Sequence, residues 1–329
     1  MIHYDPRWGG AHGIGRFSDE VIARLPDARA LRIGATRLSL LDPIATTLAA
    51  AHLDAGVYFT PGFNPPLRAP VPVVFCLYDL IYLRVPSEST LARRAYFSLI
   101  VRPAARRAFR VLTISAHSRA EILEWSGLDP ARVVDVGCGV GSVFRSDGPR
   151  HEPGYPYFLF VGLRGPHKNV GRLIEAYAAS KSRANVRLLF TGEPDRGTQE
   201  AARRHGVERE VVFAGKLDDA QLAARYRGAL ALAHPSLYEG FGLPVAEAMA
   251  CGTPVLTTNG TALAETAGAG NALFVDPLSV EAIAAGLDRM ADDSALREDL
   301  KRRGLARATH FSWDRSGAAV AKILAESGA

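Results

Sequence analysis

The sequence predicts an α/β protein of two Rossmann-like, doubly wound parallel-sheet domains facing a cleft, and three observations carry that prediction. Short β-branched and aromatic runs alternate with Ala-, Arg- and Leu-rich helical stretches along the chain, the rhythm of β-α-β units. The 329 residues fit two domains at roughly 150 residues each. A Pro- and Gly-rich segment poor in apolar residues, Gly148–Pro156, reads as the linker between them.

Taken in order, strands are expected in the first half at Gly56–Thr60, Val71–Leu77, Val111–Ile114 and Val133–Asp135. In the second half they are expected at Tyr157–Val161, Val186–Thr191, Val211–Ala214, Leu230–Ala233 and Pro254–Thr257. The predicted domains are residues 1–150 and 151–311, followed by a helical stretch within 312–329. Open parallel sheets bind ligands outside the carboxyl ends of their strands, so function is sought in strand-end loops.

Composition narrows the classes. Hydrophobic residues at 48% and charged residues at 22% exclude disorder, collagen and coiled coil. Cys76, Cys138 and Cys251 are odd in number and widely spaced, so neither a disulfide framework nor a C-x-x-C metal pair is expected, and a reducing cytoplasm is the natural compartment. The opening M-I-H-Y-D-P-R-W-G-G lacks a basic start and apolar run, so no signal peptide is expected, and no apolar stretch reaches the roughly 20 residues of a spanning helix.

The net charge is +5, and residues 1–150 hold all of it, with 18 Arg and no Lys against 13 acids. Arg102, Arg106 and Arg110 recur every four residues, which on one helix aligns three guanidiniums. That pattern suits peripheral contact with an anionic membrane, on the inner face of a cell membrane, or a solvated helix face, while Pro103 argues for a break. No zinc finger or ribonucleoprotein-type strand motif is present, so nucleic acid is not an expected partner.

The second half carries the most specific signal, H-P-S-L-Y-E-G-F-G-L-P-V-A-E-A-M-A-C-G-T-P-V from His234 to Val255. A strand ending near Ala233 is followed by the loop Glu239, Gly240, Phe241, Gly242, then by a helix with Pro244 at its start that stops at Gly252. Such a loop opens onto unpaired N–H groups and a positive dipole end, while glycines admit a ligand close to the main chain, which suits a phosphate. Glu239 before the helix and Glu247 inside it place two carboxylates along one extended ligand, and carboxylates accept paired hydroxyls of a sugar or ribose. Taken singly, Glu247 reads as a favourable first-turn acid and Glu239 as a solvated loop residue.

A second segment, F-V-G-L-R-G-P-H-K-N from Phe160 to Asn169, follows a strand and brings Arg164 and Lys168 to a spacing at which both can meet one anion. Each charge pair near 4 Å is worth about 4 kcal/mol at an effective dielectric of about 20, so two converging cations can hold one anion firmly.

These residues resemble the retaining, nucleotide-sugar-dependent glycosyltransferases of family 4, which have the GT-B architecture. The resemblance covers most of the chain and is densest from Tyr157 to Pro277; its mark is two glutamates separated by seven residues, met by Glu239 and Glu247. It implies that Glu239 contacts the donor sugar, that Glu247 contacts the ribose, and that the backbone of Phe241, Gly242 and Leu243 holds sugar and diphosphate. It further implies that Arg164 and Lys168 bind the pyrophosphate without a divalent ion or other cofactor, and that backbone at Lys216 and Leu217 meets the base. In many relatives the Arg directly follows V-G, where this chain has Leu163. The last helix in relatives crosses back to the first domain.

In the first half, the glycine loop from Gly9 to Phe17 precedes a helical stretch starting near Ser18, with no strand of useful length before it, so it is no dinucleotide fingerprint. By resemblance Gly13 and Gly15 face the donor phosphate. After the strand Val71–Leu77 come Tyr78 and Asp79, where relatives often have His-Asp; a phenol with a reference pKa near about 10 is a poor proton carrier at neutral pH. Tyr78, Asp79 and His117 are the candidate contacts to sugar or acceptor.

The resemblance implies transfer of a hexose to a hydroxyl with retention, by front-face substitution in which the departing diphosphate oxygen helps deprotonate the acceptor. No protein nucleophile is legible, and Glu239 serves as an anchor. The pattern, including N-G-T-A-L-A-E-T-A-G from Asn259 to Gly268, looks most like bacterial mannosyl- and rhamnosyltransferases of polysaccharide assembly. GDP-mannose is therefore the favoured donor, with UDP- and dTDP-sugars open, and a saccharide or lipid-diphosphate-linked saccharide the acceptor. A nucleotide-sugar epimerase and a non-catalytic sugar-nucleotide-binding relative are the alternatives.

Overall fold

Two parallel sheets of six strands each are built by the described residues, which are 1–10, 12–39 and 41–327 of the computed structural model. The first contains β1 (Ile2–Tyr4), β2 (Ala28–Ala30), β3 (Val57–Thr60), β4 (Val73–Cys76), β5 (Arg110–Thr113) and β6 (Val133–Asp135), in the order β2-β1-β3-β4-β5-β6. The second contains β7 (Tyr157–Phe160), β8 (Arg187–Phe190), β9 (Val211–Phe213), β10 (Ala231–His234), β11 (Val255–Thr258) and β12 (Leu273–Val275), in the order β12-β11-β10-β7-β8-β9. Strand order reverses between β1 and β3 in one sheet and between β7 and β10 in the other. At such a switch point the loops on either side leave in opposite directions and open a crevice.

Period-two alternation explains the two-sided core of the second sheet. On β7, Phe158 and Phe160 pack with Leu173, Ile174 and Leu287 on one face, while Tyr157 and Leu159 pack with Tyr226, Val245 and Met249 on the other. Both faces are covered, so the strands read as continuous apolar runs. In the first unit Phe75, Leu77 and Val111 meet Phe97, Val101 and Ile122.

The chain divides into Met1–Gly139 with Ser312–Ala329, and Val140–Phe311. The helix Trp313–Ser327 therefore belongs to the first unit, where Trp313 packs edge-on against Phe17 at 6.1 Å and Asp314 accepts from Arg24 Nε at 2.8 Å. The division falls ahead of Gly148–Pro156. Phe144 packs on Tyr226, and Arg227 donates to the carbonyls of Arg145 and Pro149 at 3.0 and 2.7 Å, which ties this stretch to the second unit.

The strand ahead of the glycine loop, β1, has only three residues, too few to show a period. Three local expectations are corrected. The helix after that loop begins at Gly13 instead of near Ser18, because His12 takes the N-cap and its Nδ1 accepts from Gly15 N at 2.9 Å. The arginines 102, 106 and 110 do not line one helix: the helix ends at Arg107 and Arg110 opens β5. Pro103 produces no break either. The helical path from Leu91 to Arg107 passes through a π turn at Phe97–Val101, where Arg102 N bonds the carbonyl of Phe97 and the missing N–H of Pro103 is absorbed.

Candidate functional site

The loops that leave β7 and β10 flank the switch point of the second sheet, and they bring Lys168 and Glu239 together. Lys168 ends a short 3-10 turn, Pro166–Lys168, and its Nζ lies 2.5 Å from Glu239 Oε1. The next residue, Asn169, is left-handed at φ 60°. Its Nδ2 donates to the carbonyls of Pro235 and Pro277 at 3.0 and 2.7 Å, so one amide ties together the loops after β7, β10 and β12. Leu237 N adds a bond to the carbonyl of His167 at 2.7 Å.

His234, the last residue of β10, was not singled out by sequence. It is fully buried, stacked on Phe160 with ring centroids 5.9 Å apart, and its Nε2 lies 2.9 Å from Glu239 Oε1. An ionised carboxylate only accepts, so the hydrogen-bond network assigns the proton to Nε2 and leaves Nδ1 bare and without a partner. Burial pushes this imidazole below the ordinary 6.5, outweighing the opposing pull of Glu239. For Glu239 burial alone would raise the pKa, but the charge of Lys168 and the bond from His234 outweigh it and hold the carboxyl well below the usual range. The signal in the sequence was a polar ring closing an otherwise apolar strand five residues ahead of the glutamate.

The glycine loop then enters the helix Leu243–Ala250, with Pro244 in its first turn. Gly242 stands at φ 94°, a backbone that favours glycine, and a Cβ there would lie 2.4 Å from Leu263 Cδ2, whose side chain would have to shift. The carbonyl of Phe241 accepts from Thr266 Oγ1, and its ring packs edge-on against Phe311 at 5.4 Å. This fixes the turn through Gly240, Phe241, Gly242 and Leu243 against the body of the unit. Glu247 is buried one turn inside, and its Oε2 accepts from Tyr226 Oη at 2.9 Å. Lys216 and Leu217 follow Gly215, whose carbonyl accepts from Gly192 N at 2.8 Å, so the loops after β8 and β9 are joined.

Arg164 and Lys168 do not share a partner. Arg164 Nη1 lies 3.0 Å from Asp195 Oδ2 and donates to the carbonyl of Glu193 at 2.9 Å, while Nη2 donates to that of Thr191 at 2.7 Å. Its guanidinium lies over Phe190 and Phe213, 5.5 and 5.2 Å from the ring centroids. Asp195, which caps the helix Arg196–Arg204, was likewise not foreseen. Burial lowers the pKa of Arg164 despite Asp195, yet a guanidinium stays charged. Of these two cations, Lys168 is the one paired with Glu239.

In the first unit Tyr78 is buried, and its hydroxyl donates to the carbonyl of Pro61 at 2.5 Å. Burial raises its pKa well above 10.0, so it is a fixed donor and no proton carrier. Asp79 accepts from Ile81 N at 3.0 Å, and His117 Nε2 lies 3.7 Å from Glu121 in the helix Ala116–Ser126. Gly13 opens its helix, whereas Gly15 is demanded by packing: a Cβ there would lie 2.1 Å from the carbonyl oxygen of Gly10. No cluster of three or more His, Cys, Asp or Glu side chains with metal-ligand placement occurs among the described residues.

Comparison with known proteins gives two family matches. Residues 145–307 match the model described as Glycosyl transferases group 1, and residues 20–139 match the Glycosyl transferase 4-like domain. The chain is 29% identical over 289 residues to O-antigen chain mannosyltransferase B of Escherichia coli, covering 84% of this chain and 75% of that one. It is 31% identical over 281 residues to the serotype-specific mannosyltransferase WbdA of Escherichia coli, covering 80% of this chain but only 34% of the relative. Among solved structures, WaaG, a glycosyltransferase involved in lipopolysaccharide biosynthesis, superposes with a TM-score of 0.78 at 18% identity over 98% of this chain and 99% of WaaG. Anabaena HepE in complex with UDP and glucose gives 0.79 at 17% identity, over 99% of each chain. The fold is GT-B.

Proposed function

From the premise that this chain belongs to the glycosyltransferases of group 1, with a glycosyltransferase 4-like domain, we propose that it moves mannose from GDP-mannose to a hydroxyl of a saccharide or lipid-linked saccharide, with retention and without a divalent metal. The observation that carries this reading is the Lys168–Glu239–His234 cluster beside the glycine turn at the switch point of the second sheet. The mannosyltransferases among the relatives favour the sugar; the UDP seen with HepE keeps the base a matter for experiment.

In this reading the donor's diphosphate sits at the N-terminus of Leu243–Ala250 and draws Lys168 away from Glu239. Glu239, still held by His234, then accepts hydrogen bonds from the sugar hydroxyls it is freed to meet. Glu247, braced by Tyr226, faces the ribose. As the anomeric bond breaks, the diphosphate oxygen that leaves takes the proton of the acceptor hydroxyl, which attacks from the same face; Lys168 and the helix dipole hold the negative charge. Arg164 acts from behind, bracing the loop after β8.

A melting panel with GDP, UDP, dTDP and ADP, each with and without magnesium, tests the assignment. A nucleotide held at 100 times its Kd stabilises by about 2.7 kcal/mol. GDP is expected to raise the melting temperature equally in both conditions, and GDP-mannose to yield a mannosylated product. A shift with UDP alone overturns the donor, dependence on magnesium overturns the metal-free reading, and binding without transfer favours a sugar-nucleotide-binding relative.

A further inference from the structure

One helix of the first unit is turned inside out. On Asp42–Ala51 the buried face carries Asp42 and Thr46 with Ala50, while the N-cap Leu41 and, on the helix, Ile44 and Leu48 stand 66%, 51% and 61% exposed. Their spacing places the three on one stripe. The rotation is set by the polar side: Asp42 Oδ1 lies 2.8 Å from Arg7 Nη1, and Asp42 Oδ2 accepts from Asn64 Nδ2 at 3.1 Å. Holding those groups inward leaves Leu41, Ile44 and Leu48 exposed among the described residues.

The stripe borders a cationic rod. Leu67 N donates to Thr47 Oγ1 at 2.8 Å, and its carbonyl accepts from Arg107 Nη2 at 3.0 Å, so this one residue joins the stripe's flank to the end of the Leu91–Arg107 helical path. Arg68 beside it is exposed, as are Arg94, Arg106 and Arg107 on that path, where Leu91 and Leu99 stand out at 86% and 72%. Six of the nine large apolar side chains exposed among the described residues therefore lie on Leu38–Leu48 and Leu91–Leu99. Negative charge is scarce here. From Arg84 to Arg110 there are seven Arg against Glu88, and between residues 30 and 53 the one acid is the buried Asp42.

We propose that this face is a docking surface for an anionic lipid bilayer, with the stripe Leu41, Ile44 and Leu48 entering the interface and Arg68, Arg94, Arg106 and Arg107 meeting the headgroups. This stands independently of the donor and reaction proposed above. Charge decides against a second copy of the chain as the occupant: a two-fold pairing of this face would set arginines against arginines, with no exposed acid on the stripe to answer them.

Flotation of the full chain with vesicles tests this. The chain is expected to float with phosphatidylglycerol-containing vesicles and not with pure phosphatidylcholine, and to be released as salt rises. The triple substitution Leu41→Gln, Ile44→Gln, Leu48→Gln is expected to reduce the bound fraction at least tenfold, with the melting temperature unchanged because all three side chains already face water. Arg94→Glu with Arg106→Glu supplies an independent variant should the first fail to fold, with the same loss expected. Failure of the wild-type chain to float with anionic vesicles, full binding by a folded variant, or a dimer that the triple substitution dissolves would overturn the proposal.

Discussion

The two sheets repeat one plan, and each places charged residues at its switch point, but the two crevices are finished differently. In the first unit Asp5, Arg7 and Asn64 follow β1 and β3 and are joined by Asp42. Arg7 lies 2.6 Å from Asp5 and 2.8 Å from Asp42, while Asn64 donates to both carboxylates at 3.1 Å. Trp8 closes the opening, its Nε1 donating to Asn64 Oδ1 at 2.6 Å, and a Cβ at Gly62 would fall 1.8 Å from its ring. In the second unit the loops hold Lys168 and Glu239, with His234 at the end of β10 and glycines beside them. The contrast teaches that charge at a switch point is not by itself a site. Where each group has a permanent partner and a side chain fills the crevice, the charges hold the fold; where one cation guards one carboxylate, an anionic ligand can draw the guard away and leave the carboxylate to accept from hydroxyls.

The widest separation comes from Arg7→Met, which strands two buried carboxylates. Urea unfolding should show a loss of about 3–5 kcal/mol, with the donor affinity of the folded protein unchanged. Burial works against the charge of Arg7, but Asp5 and Asp42 raise its pKa, in keeping with a structural ion. Glu239→Gln should behave in the opposite way, lowering kcat/KM by about 100- to 1000-fold in transfer assays, about 2.7–4 kcal/mol, with a far smaller effect on unfolding. Equal damage to stability from both would erase the distinction drawn here. Gly62→Ala comes next: the added methyl must displace Trp8, and a loss of about 1–3 kcal/mol is expected in the same unfolding measurement.

His234→Leu should raise the donor KM by about tenfold with a smaller change in kcat, because Glu239 loses its permanent orienting bond; His234→Gln, which keeps a donor, should restore most of it. The smallest effect is on acid stability. The folded pKa of His234 is lowered, so below its unfolded value of 6.5 the unfolded chain binds the extra proton and stability falls as pH drops toward the folded value. The depressed carboxyl of Glu239 contributes stability above its ordinary 4.5 that is lost only at still lower pH, as the folded value is approached. Unfolding free energies measured in urea from about pH 7.5 to 5 should therefore fall less steeply in His234→Leu than in wild type, by at most about 1.4 kcal/mol per pH unit.

Much of this was legible in the sequence, for identifiable reasons. Strands buried on both faces announce themselves, as Tyr157–Val161 does, whereas β1, β2 and β12 have three residues each and sit partly exposed, leaving no run to read. The glycine turn and the two glutamates were visible because spacing along one segment encodes them. The joining of Lys168 to Glu239 across 71 positions, and the supporting roles of His234, Asp195 and Tyr226, arise from sheet order, which no local pattern carries. The pairing of Arg164 with Asp195 and the carbonyls of Thr191 and Glu193 likewise comes from neighbouring strands, beyond what the segment after V-G encodes. The inside-out helix Asp42–Ala51 was illegible for another reason, since its polar face is held by Arg7 and Asn64 from outside the segment.

Asn169 has a kinetic corollary. Because its one side-chain amide bonds to Pro235 and Pro277, the segments after three strands cannot loosen singly. Their amide hydrogens should exchange with solvent as one cooperative block, and any breathing that admits a bulky nucleotide must move all three segments in concert.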